Sequence, residues 1–465
     1  MLWFVVAAFL SVVASAGLAG AADRIFVTTS SGVVGNCAVV DVSPPWNVTA
    51  NLEPVGPFAT LRVFGGLLWA VNGAPFFAGG ATHDVQAIDP VTFDTVRRFS
   101  TGSGSNPRDI AFVDPAHAWV SRYDSRWLLE IDPTTGAPLD SVDLGGFADA
   151  DGLPEMAWMA IDGTHLFVQI QRIDRPGSGA TVSPAMLAVV DVATKQLIDV
   201  DPVRSGVQAI ELLGPEPQTK MQVEGRRLYV STPGKFLDIR GGIEVIHLDT
   251  FQHLGFLISE KDWSIDMGAF ILVSPTRGYV INHTDFALSS HLDSFERPSG
   301  SFIVEHFVSF SMIESVEHDP LTDQLFFPDP DAGIRIFRSS DGDTLGGPIA
   351  TGLAPRDLVL LRSGPTGVPP VPAALTFSVA PNPFHDETRI ALNGITDRPV
   401  TVTIHDVRGR LVRRVQREAD GAGNASFVWD GRDEGGSEVP AGVYLVGVRS
   451  GASGPMTSRR VARVQ

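Results

Sequence analysis

Seven times along this chain, at intervals averaging about fifty residues, an aromatic residue opens an apolar stretch. The positions are Phe26, Trp69, Trp119, Phe167, Tyr229, Tyr279 and Phe326. All but the first follow a tight-turn signal: Gly65-Gly66, Asp114-Pro115, Asp162-Gly163, Glu224-Gly225, Ser274-Pro275 and Asp319-Pro320. A second element comes after most aromatics, an alternating stretch ending in Asp: Val40-Asp41, Ile88-Asp89, Ile131-Asp132 and Val190-Asp191, with weaker copies at Ile246-His247 and Ile336-Phe337. An aspartate there accepts a backbone N–H two residues on and fixes a hairpin, so turn chemistry explains it without catalysis. A period near fifty, built from short strands and turns, predicts four-stranded propeller blades. The expected fold class is all-β, a seven-bladed β-propeller plus a C-terminal β-sandwich, the latter read from short alternating strands between Thr388 and Val464.

Ring closure is legible too. The first strand, from Ile25, lacks the inner strand that precedes its counterparts. Ala354-Pro355-Arg356-Asp357-Leu358 echoes Asn106-Pro107-Arg108-Asp109-Ile110 and supplies it. Pairing the two removes an edge that would invite aggregation. In blade six the third strand is expected at Ser301–Glu305, with little room for a fourth before Met312. Cys37, the only cysteine, sits in an apolar strand and reads as buried.

The 465 residues exceed one ordinary core. The expected division is a signal peptide at 1–21, the propeller at 23–362, a Pro-rich linker at 363–376 and the β-sandwich at 377–465. The first eighteen residues are apolar and run into Ala19-Gly20-Ala21, a small-residue cleavage pattern, although the usual basic start is missing. A secreted protein, extracellular or on the outer cell surface after transit through the periplasm, is the expectation, with no transmembrane anchor. Thirty-five basic against 53 acidic residues give a net charge of −18, which argues against nucleic acid. The segment from Phe377 has 12 Arg and 10 Asp or Glu, so the acidity belongs to the propeller.

The repeats resemble the YncE or YVTN family of seven-bladed propellers, in their Pro-x-x-Ile inner strand, aromatic second strand and Ile-Asp-Pro hairpin. That resemblance implies a fold and no particular activity. The C-terminal segment resembles the FlgD immunoglobulin-like family and the type A sorting domains of the type IX secretion system. Pro381-Asn382-Pro383-Phe384, then Asp406 through Gly409-Arg410, then Trp429-Asp430-Gly431 and finally Gly442-Val443-Tyr444 carry it in order. The resemblance implies the type IX machinery as a partner and this segment as its address.

In a four-stranded blade, the connections from strand one to two and from three to four lie on one face. The two-to-three and blade-to-blade connections lie on the other. The first set is short here. The second holds long segments, Asn72 to Asp84, Gln171 to Pro184, Thr232 to Gly242 and Asn282 to Gly300. Long insertions on one face of a repeat protein build binding surfaces. Candidate ligand-binding residues on that face are His83, Asp84, Arg108, Asp109, Arg172, Arg175, His283, Asp285, Arg356 and Asp357; the same segments also hold His291, Asp293 and Arg297. No catalytic residue is nominated and no cofactor is expected. Asp149/Asp151, Asp329/Asp331 and Asp341/Asp343 pair carboxylates as a calcium loop does but do not continue into its full pattern, so turn and cap roles are preferred and calcium is the alternative. The preferred function is binding of an extracellular ligand or partner. A propeller enzyme of lactonase, lyase or quinoprotein dehydrogenase type, and a structural surface protein without a ligand, are the alternatives.

Overall fold

A computed structural model describes residues 23–74, 82–175, 177, 179, 181–233, 239–283, 289–297, 299–362, 376–393, 400–406, 410–417, 424–450 and 456–464. The expected signal peptide and nearly all of the linker therefore lie outside the described residues. The chain divides into two compact units, Met1–Gly367 and Val368–Gln465.

The first unit is the seven-bladed propeller. Six sheets run in chain order from inner to outer strand, with inner strands Thr60–Phe64, Pro107–Asp114, Met156–Asp162, Gln222–Glu224, Asp266–Leu272 and Glu317–Asp319. Blade one is completed from the far end of the unit. Ala354–Leu361 pairs antiparallel with Arg24–Ser30, placing Phe26 opposite Val359 and Ser30 opposite Ala354. All seven repeat aromatics are buried, because each second strand is sandwiched between neighbouring blades. Phe167, Leu187, Leu228 and Ile246, for instance, join blades four and five in one apolar cluster. Gly278 leaves room for its partner across the same sheet: a Cβ there would meet the Phe295 ring at 2.2 Å.

The hairpin aspartates behave as turn formers. Asp89 accepts the amides of Val91 and Thr92, Asp132 that of Thr134, and Asp191 those of Ala193 and Thr194. Cys37 is buried, and burial pushes its thiol up to about 12.

Blade six departs from expectation. Its third strand is Ser290–Glu296 and its fourth is Phe302–Ser309. The alternation in Phe302-Ile303-Val304 suits either position, and masking of the shorter apolar pattern by the polar Ser290-His291 pair hid the true third strand. The supposed long segment Asn282 to Gly300 therefore contains the strand Ser290–Glu296.

The second unit is a β-sandwich. One sheet runs Thr376–Ala380, Thr388–Asn393, Asn424–Trp429; the other runs Leu411–Arg417, Val400–Asp406, Gly442–Ser450, Met456–Arg463. The expected linker thus ends inside a strand, at Thr376. Between the sheets, Trp429 packs against Phe384 and Tyr444 with ring centroids 5.3 and 5.1 Å apart.

Candidate functional site at the channel mouth

Because strands alternate in direction, each inner strand begins at the end of the blade that carries the two-to-three and blade-to-blade connections. The connections at that end include 73–83, 171–185 and 233–241, whereas those at the other end are as short as 65–66, 115–116, 163–164 and 225–226. The early residues of the inner strands thus ring the channel mouth on the long-loop side.

The third residues of the inner strands of blades two, three and four are Arg62, Asp109 and Trp158. Asp109, fully buried, accepts two 2.7 Å bonds from Arg62 and one of 2.8 Å from the Met159 amide, bracing three blades. Arg62 lies over the Trp158 ring at 5.0 Å, and Lys220 over the same ring at 5.5 Å. Lys220 is held there by its chain neighbours: Trp158, Gln169 and Gln171 donate to the carbonyls of Gln218, Thr219 and Pro217. Its ammonium reaches Asp357, which also accepts from the Leu61 amide and the Ser315 hydroxyl. Glu317 completes the ring. Burial, followed by the nearby Asp357 carboxylate, outweighs Lys220 and Arg62 and raises its carboxyl to about 7.

Both Pro-Arg-Asp triplets are therefore split. Asp109 and Asp357 point into the structure, with their acceptors engaged, while the arginines stay at the rim. Arg108 stacks over Tyr123 at 5.4 Å, and Arg175 lies over the same ring at 5.0 Å. Arg175 is further tied to Asp124 at 2.5 Å and to Glu155 at 2.8 Å. Glu155 is buried, and that burial raises its carboxyl to about 7 despite Arg175. Arg172 donates to the Pro184 carbonyl, leaving its buried Nε without a partner. His83 accepts from the Asn106 amide, whose residue in turn accepts from the Tyr123 amide, so His83 joins this cluster. Asp84 is buried between Asn72 and Arg98 and serves the sheet.

A second group centres on Glu314. Arg356 pairs with it at 2.9 Å and stacks over Phe58 at 4.9 Å. His283 feels the same carboxylate and hydrogen-bonds Ser290, but burial dominates and holds its imidazole below the usual range. Asp285 lies outside the described residues. His291 lies at the long-loop end of the strand Ser290–Glu296, beside His283, and Asp293 lies in its middle, whereas Arg297 lies just past its far end and so belongs to the opposite rim. Sequence reasoning missed Arg62, Trp158, Lys220 and Glu317; comparing third positions across the inner strands would have exposed the first two.

Among the described residues no group of three His, Cys, Asp or Glu is gathered as a metal site needs. Asp329 instead takes Arg335, Asp331 takes Ser311, and Asp341 and Asp343 share Arg338.

In the sandwich, the motif residues form the framework. Asn382 brackets the last strand, donating to the Arg460 carbonyl and accepting from the Ala462 amide. Asp406 accepts from the Arg410 amide, Trp429 donates to the Arg432 carbonyl, Asp430 accepts from the Arg432 amide, and Tyr444 donates to the Pro440 carbonyl. Gly431 adopts φ 67°, which favours glycine. Gly442 opens the strand Gly442–Ser450, and Gly409 lies outside the described residues.

The chain is thus a seven-bladed propeller followed by an immunoglobulin-like module. Residues 387–454 match the FlgD Ig-like domain family. Comparison with curated proteins gives no match. Among solved structures, it is similar to PorZ, a surface component of the type IX secretion system of Porphyromonas gingivalis, at 14% identity and TM-score 0.42, covering 92% of this chain and 63% of that one. This chain therefore spans less than two thirds of PorZ. It is also similar to Kuenenia stuttgartiensis hydrazine synthase, at 13% identity and TM-score 0.46, covering 69% and 98% of the two chains. BamB from Moraxella catarrhalis matches at 12% identity and TM-score 0.37, covering 67% and 78%. Among the described residues no helix is long and apolar enough to cross a membrane.

Proposed function

We propose that this is a secreted or cell-surface propeller that binds a ligand or partner through its long-loop face, with the C-terminal module as its type IX sorting address. The observation that carries the reading is the asymmetry of the rims. Among the connections between successive blade strands, the long ones at 73–83, 171–185 and 233–241 gather at one end of the blades, around arginines that stack on aromatic rings while the neighbouring aspartates are engaged inside. Among the described residues Arg108 has no carboxylate partner of its own there and Arg356 pairs with the exposed Glu314, and guanidinium donors so placed suit carboxylate or phosphate groups. The sorting role rests on the four ordered motifs and on the family match at 387–454.

The test uses the purified chain against a glycan and protein array, repeated with Arg108→Ala and Arg356→Ala. Specific binding lost in either variant, with an unchanged melting temperature, supports the reading. Binding that is indifferent to both variants removes it. For sorting, deleting 377–465 in a host with type IX secretion should trap the propeller in the periplasm, and undiminished surface display would end that half of the proposal.

A further inference from the structure

At the opposite end of the strands from the long loops, blades five and six part around a groove of about 910 Å³. Tyr229 and Val245, both buried, lie at its base, and Leu254, Phe256 and Leu257 line it. Leu254 remains 49% exposed, an apolar side chain facing solvent beside an aromatic surface. The volume is within the range of small-molecule sites, roughly 300–1,000 Å³.

Charges at this groove are almost all answered. Arg297 lies across it from blade six, pairing with Glu224, donating to the Ser274 carbonyl at 2.6 Å and stacking over Tyr229 at 5.5 Å. Arg226 is shared between Asp162, at 2.7 Å, and Asp249. Arg227 is the exception. Its side chain is exposed and enters no ion pair or hydrogen bond among the described residues. An apolar wall of Tyr229, Val245, Leu254, Phe256 and Leu257, beside a guanidinium whose side chain is unpaired, is complementary to a molecule with an apolar body and a single negative group.

We propose that this groove binds a small amphipathic monocarboxylate, its aliphatic or aromatic body against Leu254, Phe256, Leu257 and Tyr229 and its carboxylate on Arg227. The guanidinium fork matches a carboxylate bidentately, and the apolar body leaves water as it enters. The site is separate from the long-loop face and stands without it.

Decanoate is the probe, measured by titration calorimetry on the full chain below its micelle concentration, with decanol as the uncharged control. Decanoate should bind about tenfold more tightly than decanol, the worth of one charge-assisted contact. Arg227→Glu should remove that advantage and leave decanol unchanged, and Arg108→Ala, on the other face, should change neither. No binding of decanoate, equal affinity for the two probes, or an Arg227→Glu variant that binds decanoate normally would each overturn the proposal. Arg227 is exposed, so its replacement leaves the fold intact.

Discussion

Lys220 of blade five donates its ammonium to Asp357 of blade one at 2.6 Å and to the neighbouring Leu358 carbonyl at 2.9 Å. Blades five and one are not neighbours in the ring, so a single side chain spans the channel. Asp357 belongs to the strand that closes the propeller. The contact therefore clamps the closing strand from the far wall, in addition to its pairing with the first strand.

Lys220→Met should destabilise the propeller by about 1–3 kcal/mol, because the buried Asp357 loses its charged partner while keeping the Leu61 and Ser315 bonds. Thermal unfolding of wild type and variant measures this directly. An unchanged melting temperature would show that the clamp carries no stability.

Glu317 sets a pH dependence. Its carboxyl, raised by burial to about 7 in the folded protein, titrates near 4.3 when unfolded. The folded state therefore favours the protonated form. The stabilisation is complete below about pH 4.3 and is lost as pH rises through 7. Glu317→Gln mimics the protonated carboxyl, so its melting temperature should exceed that of wild type by more at pH 8 than at pH 5. A constant gap across that range would refute the assignment.

The two charged members of the Pro-Arg-Asp triplet at 107–109 should differ in cost. Asp109→Ala leaves Arg62 without its carboxylate inside the channel and should cost about 3 kcal/mol. Arg108→Ala loses one half-buried stacking contact at the rim and should cost under about 1 kcal/mol. Urea unfolding of the pair separates a brace from a rim residue.

Trp429→Ala should cost the sandwich about 3–5 kcal/mol through the cavity left between Phe384 and Tyr444. Calorimetry of the full chain should show one transition lowered and the propeller transition in place. A uniform shift of both would mean that the two units unfold together.

The propeller was readable because its aromatic second strands, repeated seven times, and its hairpin aspartates, present in four of the blades, are local signals with tolerable drift. The closing strand was readable as an echo of residues 106–113. Blade six was not, since the order of Ser290–Glu296 and Phe302–Ser309 turns on strand pairing rather than on local pattern. In the candidate site, Arg108 and Arg356 were visible as a repeated triplet. Lys220 and Glu317 lie outside any motif and meet only when distant strands converge on one channel. The same convergence decides that Asp109 faces inward, a matter of alternation within a strand whose register the sequence leaves open. Arg297 was assigned to the wrong rim for the same reason that misplaced the strand before it.

The pairing of the Asp357 amide with the Thr28 hydroxyl joins residues 329 positions apart. During synthesis the first sheet must wait, one strand short, until nearly the whole propeller has been made. For that interval its free backbone edge is open to the wrong neighbour, and the entropy of closing so long a loop falls on the last step. A helper that shields this edge would shorten the dangerous interval more than one acting anywhere else in the ring.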